Sequence, residues 1–334
     1  VLRRLTRTEP DPIAQFEKLA AAFDTAYWSE ESFNNRALFS DYYLLQRLRE
    51  CPEWSEDPKA VFEELLKLYH GAAARLANKD EQAVRAGVIE PVLRTLGVSF
   101  KEGKKADSDA TEPDYILTGD DGTRPLAFCL AYTWGRSLDG KDPQRDKQTP
   151  DENPGLLVVS LLEKGLAPWG IVTNGKIWRL YSAEAHSRAT NYFEQDLEEI
   201  LLQTGPLAHD PAESFRYFWL LFRRQAFEPA AVDSPSQPAG TSFDDAVLRG
   251  SKEYAKRLGE RLKDRVFKEV FPHLARGFIG NLRASKKWRK QDEQAQLDEV
   301  YRGTLSLLYR LLFLLYAESR DLLPVRETRD YFDI

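Results

Sequence analysis

The chain has 334 residues, 42% hydrophobic and 12% aromatic, enough apolar material for two compact domains with real cores. Its formal charge of −6 excludes a surface that is positive everywhere but leaves room for a local basic patch. Two cysteines, Cys51 and Cys129, and four scattered histidines, His70, His186, His209 and His273, exclude a disulfide framework and a cysteine-rich zinc site and fit a reducing compartment.

The first residues, VLRRLTRTEPDP, are basic and turn polar without an apolar segment, so no signal peptide is expected. The absence of methionine is expected for a segment of a longer polypeptide that begins without its own initiator. From 12 to 95 the apolar spacing is helical. PIAQFEKLAAAFDTAYW repeats Ile13, Phe16, Leu19, Ala20 and Phe23; DPKAVFEELLKLYHGAAARL starts at Asp57-Pro58; DEQAVRAGVIEPVLRTLGV stops at Gly97. Residues 1–97 are predicted to form an N-terminal helical lobe.

The period then changes. PDYILTG, PLAFCLAYTW and WGIVTNGKIWRLYS are rich in β-branched and aromatic residues and bounded by turn formers, which predicts strands. Asn174-Gly175 suits a type I′ hairpin turn between the last two. In ENPGLLVVSLLEKG, Asn153 is a candidate N-cap, Pro154 the first helical residue and Gly165 the stop. DLEEILLQTGP and PAESFRYFWLLFRRQAF add two helices, the second with a core face of Phe215, Phe218, Leu221 and Phe222 and a polar end at Arg223 and Arg224. The expected fold is α/β, a mixed sheet with packed helices over 98–228.

Residues 229–241, PAAVDSPSQPAGT, contain no aromatic residue and are predicted to be a linker. The remainder, 242–334, reads as an all-α connector. Its last helical stretch, within QLDEVYRGTLSLLYRLLFLLYAESRDLLP, is apolar nearly all round and is expected to be buried, against elements beyond residue 334. The run LSLLYRLLFLLYA is broken by Arg310 and too short for the roughly 30 Å of a bilayer core, so no membrane partner is expected and the location is read as cytoplasmic.

One arrangement carries chemistry. Pro113-Asp114 opens one strand, and AFCLAYTW forms the next. Many metal-dependent nucleases place an Asp on one strand and Glu-x-Lys on its neighbour, where residues two apart share a face; the two carboxylates hold Mg²⁺ while metal and Lys stabilise an attacking hydroxide. Here Asp114 is present, but Leu130 and Tyr132 stand where Glu and Lys would be. Neither can ligate Mg²⁺, so a core strand is the plain reading. A migrated carboxylate is the alternative, with Glu81, Glu90 or Glu112 as candidates.

The runs EPDYIL, CLAYTWGRSLDGKDPQRD, ENPGLLVVSLLEKG, WGIVTNGKIWRLYS and SFRYFWLLFRRQAF resemble the N-terminal region of type IIG restriction-modification proteins and related phage-defence adenine methylases. LFSDYYLLQRL and LDEVYRGTLSLLYRLLFLLYAESRDLLPV resemble the same group. The resemblance implies a PD-(D/E)XK nuclease domain, a helical connector and a separate N6-adenine methylase domain. On that pattern Asp114 matches the first acid, Leu130 the Glu and Tyr132 the Lys, which implies a degenerate, non-catalytic nuclease domain. No Pro-Pro occurs, so the methylase's Pro-Pro-aromatic loop is expected beyond Ile334, with S-adenosylmethionine bound there and no cofactor in this segment. Mg²⁺ is expected only if the nuclease is active. Double-stranded DNA, the methylase domain and other defence-system proteins are the expected partners.

RGFIGNLRASKKWRK holds Arg276, Arg283, Lys286, Lys287, Arg289 and Lys290 without an acid, with Trp288 among them. These cations suit phosphates and Trp288 suits stacking on a base; a solvated loop between helices fits equally. The loop GRSLDGKDPQRDKQTPDENPG, in which Arg136, Lys141, Arg145 and Lys147 alternate with acids, reads as a solvated connector before it reads as a DNA-facing loop. His186 and His273 lack a second ligand or nucleophile and read as structural or exposed.

Overall fold

The computed structural model describes residues 33–103, 112–119, 122, 124–146, 151–203, 210–230, 240–285 and 292–319. The helix expected over 12–28 lies outside them. The described residues fall into two compact units, one running to Tyr254 and the other starting at Ala255.

In the first unit, helices α1 (Lys59–Tyr69) and α2 (Ala72–Leu76) precede α3, which covers 81–95. Asp80 caps α3 by accepting from Ala83 N, and the helix widens into a π-turn at Arg85–Ile89. The cause is in the sequence: Pro91 has no N–H to return to the Gly87 carbonyl, and a wider turn absorbs the mismatch. Next come α4 (Pro154–Glu163), α5 (Leu197–Leu202), α6 (Pro211–Phe222) and the first turns of α7 (Phe243–Arg265).

The strands are β1 (Asn34–Asn35), β2 (Ser99–Glu102), β3 (Tyr115–Thr118), β4 (Pro125–Ala131), β5 (Trp169–Thr173), β6 (Ile177–Ser182) and β7 (Phe193–Asp196). They form one mixed sheet in the order β1-β7-β6-β5-β4-β3-β2. Every pairing is antiparallel except β4 with β5, whose parallel register needs a crossover that α4 supplies. The α/β class and mixed sheet expected from the sequence are present. Strands β1, β2 and β7 were not expected.

Alternation along the strands divides the side chains between two cores. On one face Tyr115, Ala127, Cys129, Ala131, Trp169, Ile171, Trp178 and Leu180 pack with α1, α3, α5 and α6. On the other Phe128, Leu130, Tyr132, Val172 and Tyr181 pack against Val158, Leu161 and Leu162 of α4. Gly170 permits that approach, since a Cβ there would meet Phe128 at 2.8 Å and Val158 at 2.9 Å. The four expected α6 core residues are fully buried. Asn153 caps α4 through Gly155 N and Leu156 N, as its position predicts.

Several expectations are corrected. Helices α1 and α3 share one core with the sheet, so residue 97 does not separate two cores. The two ends of the expected linker are hydrogen-bonded to each other: Ala230 N donates to Thr241 O at 3.0 Å and Gly240 N to Ala230 O at 3.1 Å. Residues 231–239 lie outside the described residues. The chain then returns to the same unit, where Phe243, Val247 and Leu248 are buried, and the boundary falls inside α7. The hairpin between β5 and β6 exists, but only Gly175 has positive φ, so the turn is not type I′. Instead the Asn174 side chain accepts from Lys176 N and Ile177 N, while the Thr173 hydroxyl accepts from Gly175 N and donates to the Ile177 carbonyl.

The second unit is helical, as expected. A π-turn at Val266–Val270, again just before a proline, leads into α8 (Phe271–Ala284), followed by α9 (Glu293–Ser319). Phe271 meets Tyr301 edge-on between the two. Val300, Thr304, Leu308 and Ala317 of α9 are buried, while Tyr309, Leu311, Phe313, Leu314, Leu315 and Tyr316 are exposed. Among the described residues no helix is long and apolar enough to cross a membrane.

Candidate functional site

Asp114 lies at the entry of β3, beside the end of β4, and both of its oxygens are engaged. Oδ2 accepts from Ala131 N at 2.8 Å, and Oδ1 takes Arg85 Nη1 at 3.0 Å. Arg85 is the first residue of the π-turn in α3. The same guanidinium is 3.4 Å from Glu81 Oε1, and its Nε donates to the Tyr115 hydroxyl at 2.9 Å. Tyr115 in turn donates to Glu90 Oε1 at 3.0 Å. Burial opposes the charge on Arg85, but the hydrogen bond to Tyr115 and the charges of Asp114 and Glu81 outweigh it, so Arg85 is held more firmly cationic than usual. The acids around it therefore share a cation that belongs to the chain.

Leu130 and Tyr132 point to the opposite face of β4, and neither is more than 3% exposed. The Tyr132 hydroxyl donates to Glu152 Oε1 at 2.6 Å. Burial raises the Glu152 pKa; the Tyr132 hydrogen bond works against that shift, while the charges of Asp114 and Asp146 add to it. Burial, followed by the charge of Glu152, raises the Tyr132 pKa. This hydroxyl is a hydrogen-bond donor, not a base.

Arg136 is the centre of the charged loop after β4. Its guanidinium lies over the Tyr132 ring at 4.6 Å, with Nε 3.0 Å from Asp146 Oδ2 and Nη2 2.7 Å from the Glu152 carbonyl. Arg145 donates to the Trp134 carbonyl, and Asp142 accepts from Ser137 N and Arg145 N. The reading of this loop as a solvated connector is thus corrected at Arg136 and Asp146, which are buried. Lys141 does remain exposed, paired with Asp151, and Lys147 lies outside the described residues.

The candidate carboxylates have other duties. Glu81 serves Arg85, Glu90 serves Tyr115 and Arg94, and Glu112 is exposed. Among the described residues no three His, Cys, Asp or Glu side chains are grouped to hold a metal ion. Sequence reasoning missed Arg85 and Glu152. The first had no signal beyond its place ahead of Glu90-Pro91. The second did: a residue just before an N-cap sits at the mouth of the crossover, close to the end of β4.

Of the residues proposed for DNA contact, Arg283 is exposed near the end of α8, while Lys286, Lys287, Trp288, Arg289 and Lys290 lie outside the described residues. His186 and His273 are exposed. Arg223 is not a solvated helix end; it is buried, paired with Glu56 at 2.6 Å and stacked over Trp219 at 4.0 Å. Compared with protein-family models, curated proteins and solved structures, the chain has no significant match.

Proposed function

We propose that the sheet unit is a nuclease-derived module that does not cut, working in a DNA-modifying restriction or phage-defence protein through DNA contact or domain docking. One observation carries the reading. The Asp114 carboxylate, which a nuclease of the PD-(D/E)XK kind would offer to Mg²⁺, is neutralised by Arg85, while the places of its Glu and Lys hold the buried Leu130 and Tyr132. Hydrolysis of a phosphodiester needs a cation free to polarise phosphorus and a group to stabilise hydroxide. A guanidinium tethered by Tyr115, Glu81 and Asp114 supplies neither. The order of elements supports the same lineage: β2, β3 and β4 in an antiparallel meander, then the α4 crossover to a parallel β5. In this reading the parent protein is an adenine-specific DNA methyltransferase and S-adenosylmethionine belongs to a separate methylase domain.

The runner-up is a Mg²⁺-dependent endonuclease with rearranged ligands. The charge of Asp114 felt at Glu152 favours it. Titrating the 334-residue chain with Mg²⁺ and Mn²⁺ in a calorimeter, and incubating it with unmodified duplex DNA, separates the two. The expected outcome is no metal uptake and no cutting. Metal-dependent cleavage lost in Asp114→Ala and Glu152→Gln establishes the endonuclease instead.

A further inference from the structure

After Ser242, α7 lays its first three turns on the sheet unit, burying Phe243, Val247, Leu248 and Ser251. Polar contacts fix this segment: Trp169 Nε1 donates to Asp245 Oδ1 at 3.0 Å, and Lys252 Nζ to the Glu184 carbonyl at 2.8 Å. Within the docked face lies Asp244, which is 0% exposed, and among the described residues neither of its carboxyl oxygens has a hydrogen-bond donor. A buried carboxylate without donors is far costlier than the neutral acid.

The surrounding groups do not relieve it. Asp245, next along the same helix, adds like charge. Arg223, at the end of α6, is the facing cation, but its Nη1 and Nη2 are bound to Glu56 at 2.6 and 3.1 Å, and its buried Nε has no acceptor. Farther along the docked segment the charged and titratable groups are the exposed Arg249, Tyr43 against Gly250, the Lys252–Glu184 pair, Glu253, and Tyr254 stacked on Tyr42.

We propose that Asp244 is carried as the neutral acid and acts as a proton-operated latch, holding residues 243–254 on the sheet unit while protonated and releasing them when it ionises. Burial, and after it the charge of Asp245, raise its pKa well above the ordinary 3.8, with Arg223 opposing. The sign follows from linkage. With the folded value above the unfolded one, the stabilising effect is complete below the ordinary carboxyl range and is lost as pH rises through the folded value. Alkaline conditions therefore loosen the segment.

The test compares the full chain with Asp244→Asn, a neutral isostere, between about pH 5 and about pH 9. In the wild type, amide hydrogen exchange of 243–254 should accelerate at least roughly tenfold beyond the intrinsic effect of pH, and the Tm should fall by about 3 °C or more relative to the variant. Asp244→Asn should show neither change and should be the more stable protein at the alkaline end. Parallel pH profiles, or a variant less stable than wild type above neutral pH, overturn the latch and make Asp244 an ionised partner of Arg223. The wild-type exchange measurement decides the matter without the variant: no excess opening of 243–254 with rising pH also rejects the proposal.

Discussion

The Tyr132 hydroxyl shows how one donor organises the end of β4. It satisfies Glu152, whose backbone carbonyl receives Arg136, whose guanidinium covers the Tyr132 ring. Tyr132→Phe keeps the ring and removes the donor, so it should cost about 1–2 kcal/mol in denaturant unfolding. The loss should depend on pH. Glu152 already has a raised pKa, and the Tyr132 bond is what restrains it. Without that bond the folded-state value climbs further, the contribution of Glu152 to stability is lost more completely as pH rises, and the gap between wild type and variant should be wider at pH 8 than at pH 4. Equal gaps at both values would mean that the hydroxyl does not serve the carboxylate. Arg85 teaches a related lesson. An arginine on an apolar helix reads as a solvated cation, and only its three partners reveal it as an internal counter-ion.

At the scale of elements, β4 is a strand whose two faces belong to two cores, which is why it carries no charged side chain. Rebuilding the nuclease pair with Leu130→Glu and Tyr132→Lys would place both charges among Val158, Leu161 and Leu162. Desolvating two charges at apolar positions costs several kcal/mol that their mutual attraction does not fully offset. The double variant is expected to lose about 3 kcal/mol or more of stability and to gain no DNA cleavage, because Asp114 remains held by Arg85. Cleavage by a folded double variant would show that the pair had been the missing part. The same scale explains which elements could be read in advance. Helix α4 announces itself through Asn153, Pro154 and Gly165, all acting within a few residues of chain. Strands β2 and β7, SFKE and FEQD, contain a single apolar residue each and become strands because β3 and β6 offer them edges. Their information lies in their partners.

For the molecule as a whole, the acidic net charge makes any DNA contact a local matter. The acid-free run from Arg276 to Lys290 is the place to test it. Reversing charge at Lys286, Lys287, Arg289 and Lys290 together should weaken duplex binding and flatten its salt dependence by about 0.9 in log–log slope for each phosphate that is no longer neutralised. Unchanged binding would leave domain docking as the role of this protein. The exposed aromatic and leucine side chains of α9 also belong to this scale: the helix is legible from its spacing, whereas what covers a run that is apolar all round is not written in its own residues.

What the sequence determined by itself is local and periodic: the capped helices, the apolar central strands, the α/β class, and the absence of an acid and a lysine on β4. Each follows from side-chain spacing or from capping chemistry acting over a few residues. Tertiary structure alone decided that Asp114 is neutralised by Arg85, that Glu152 lies under the Tyr132 hydroxyl, that Ala230 bonds Gly240 and Thr241, and that Asp244 is buried without a donor among the described residues. The Tyr132–Glu152 and Arg85–Asp114 pairs meet across 20 and 29 positions of chain, and electrostatic energy is set by distance in space and by burial, neither of which residue order specifies.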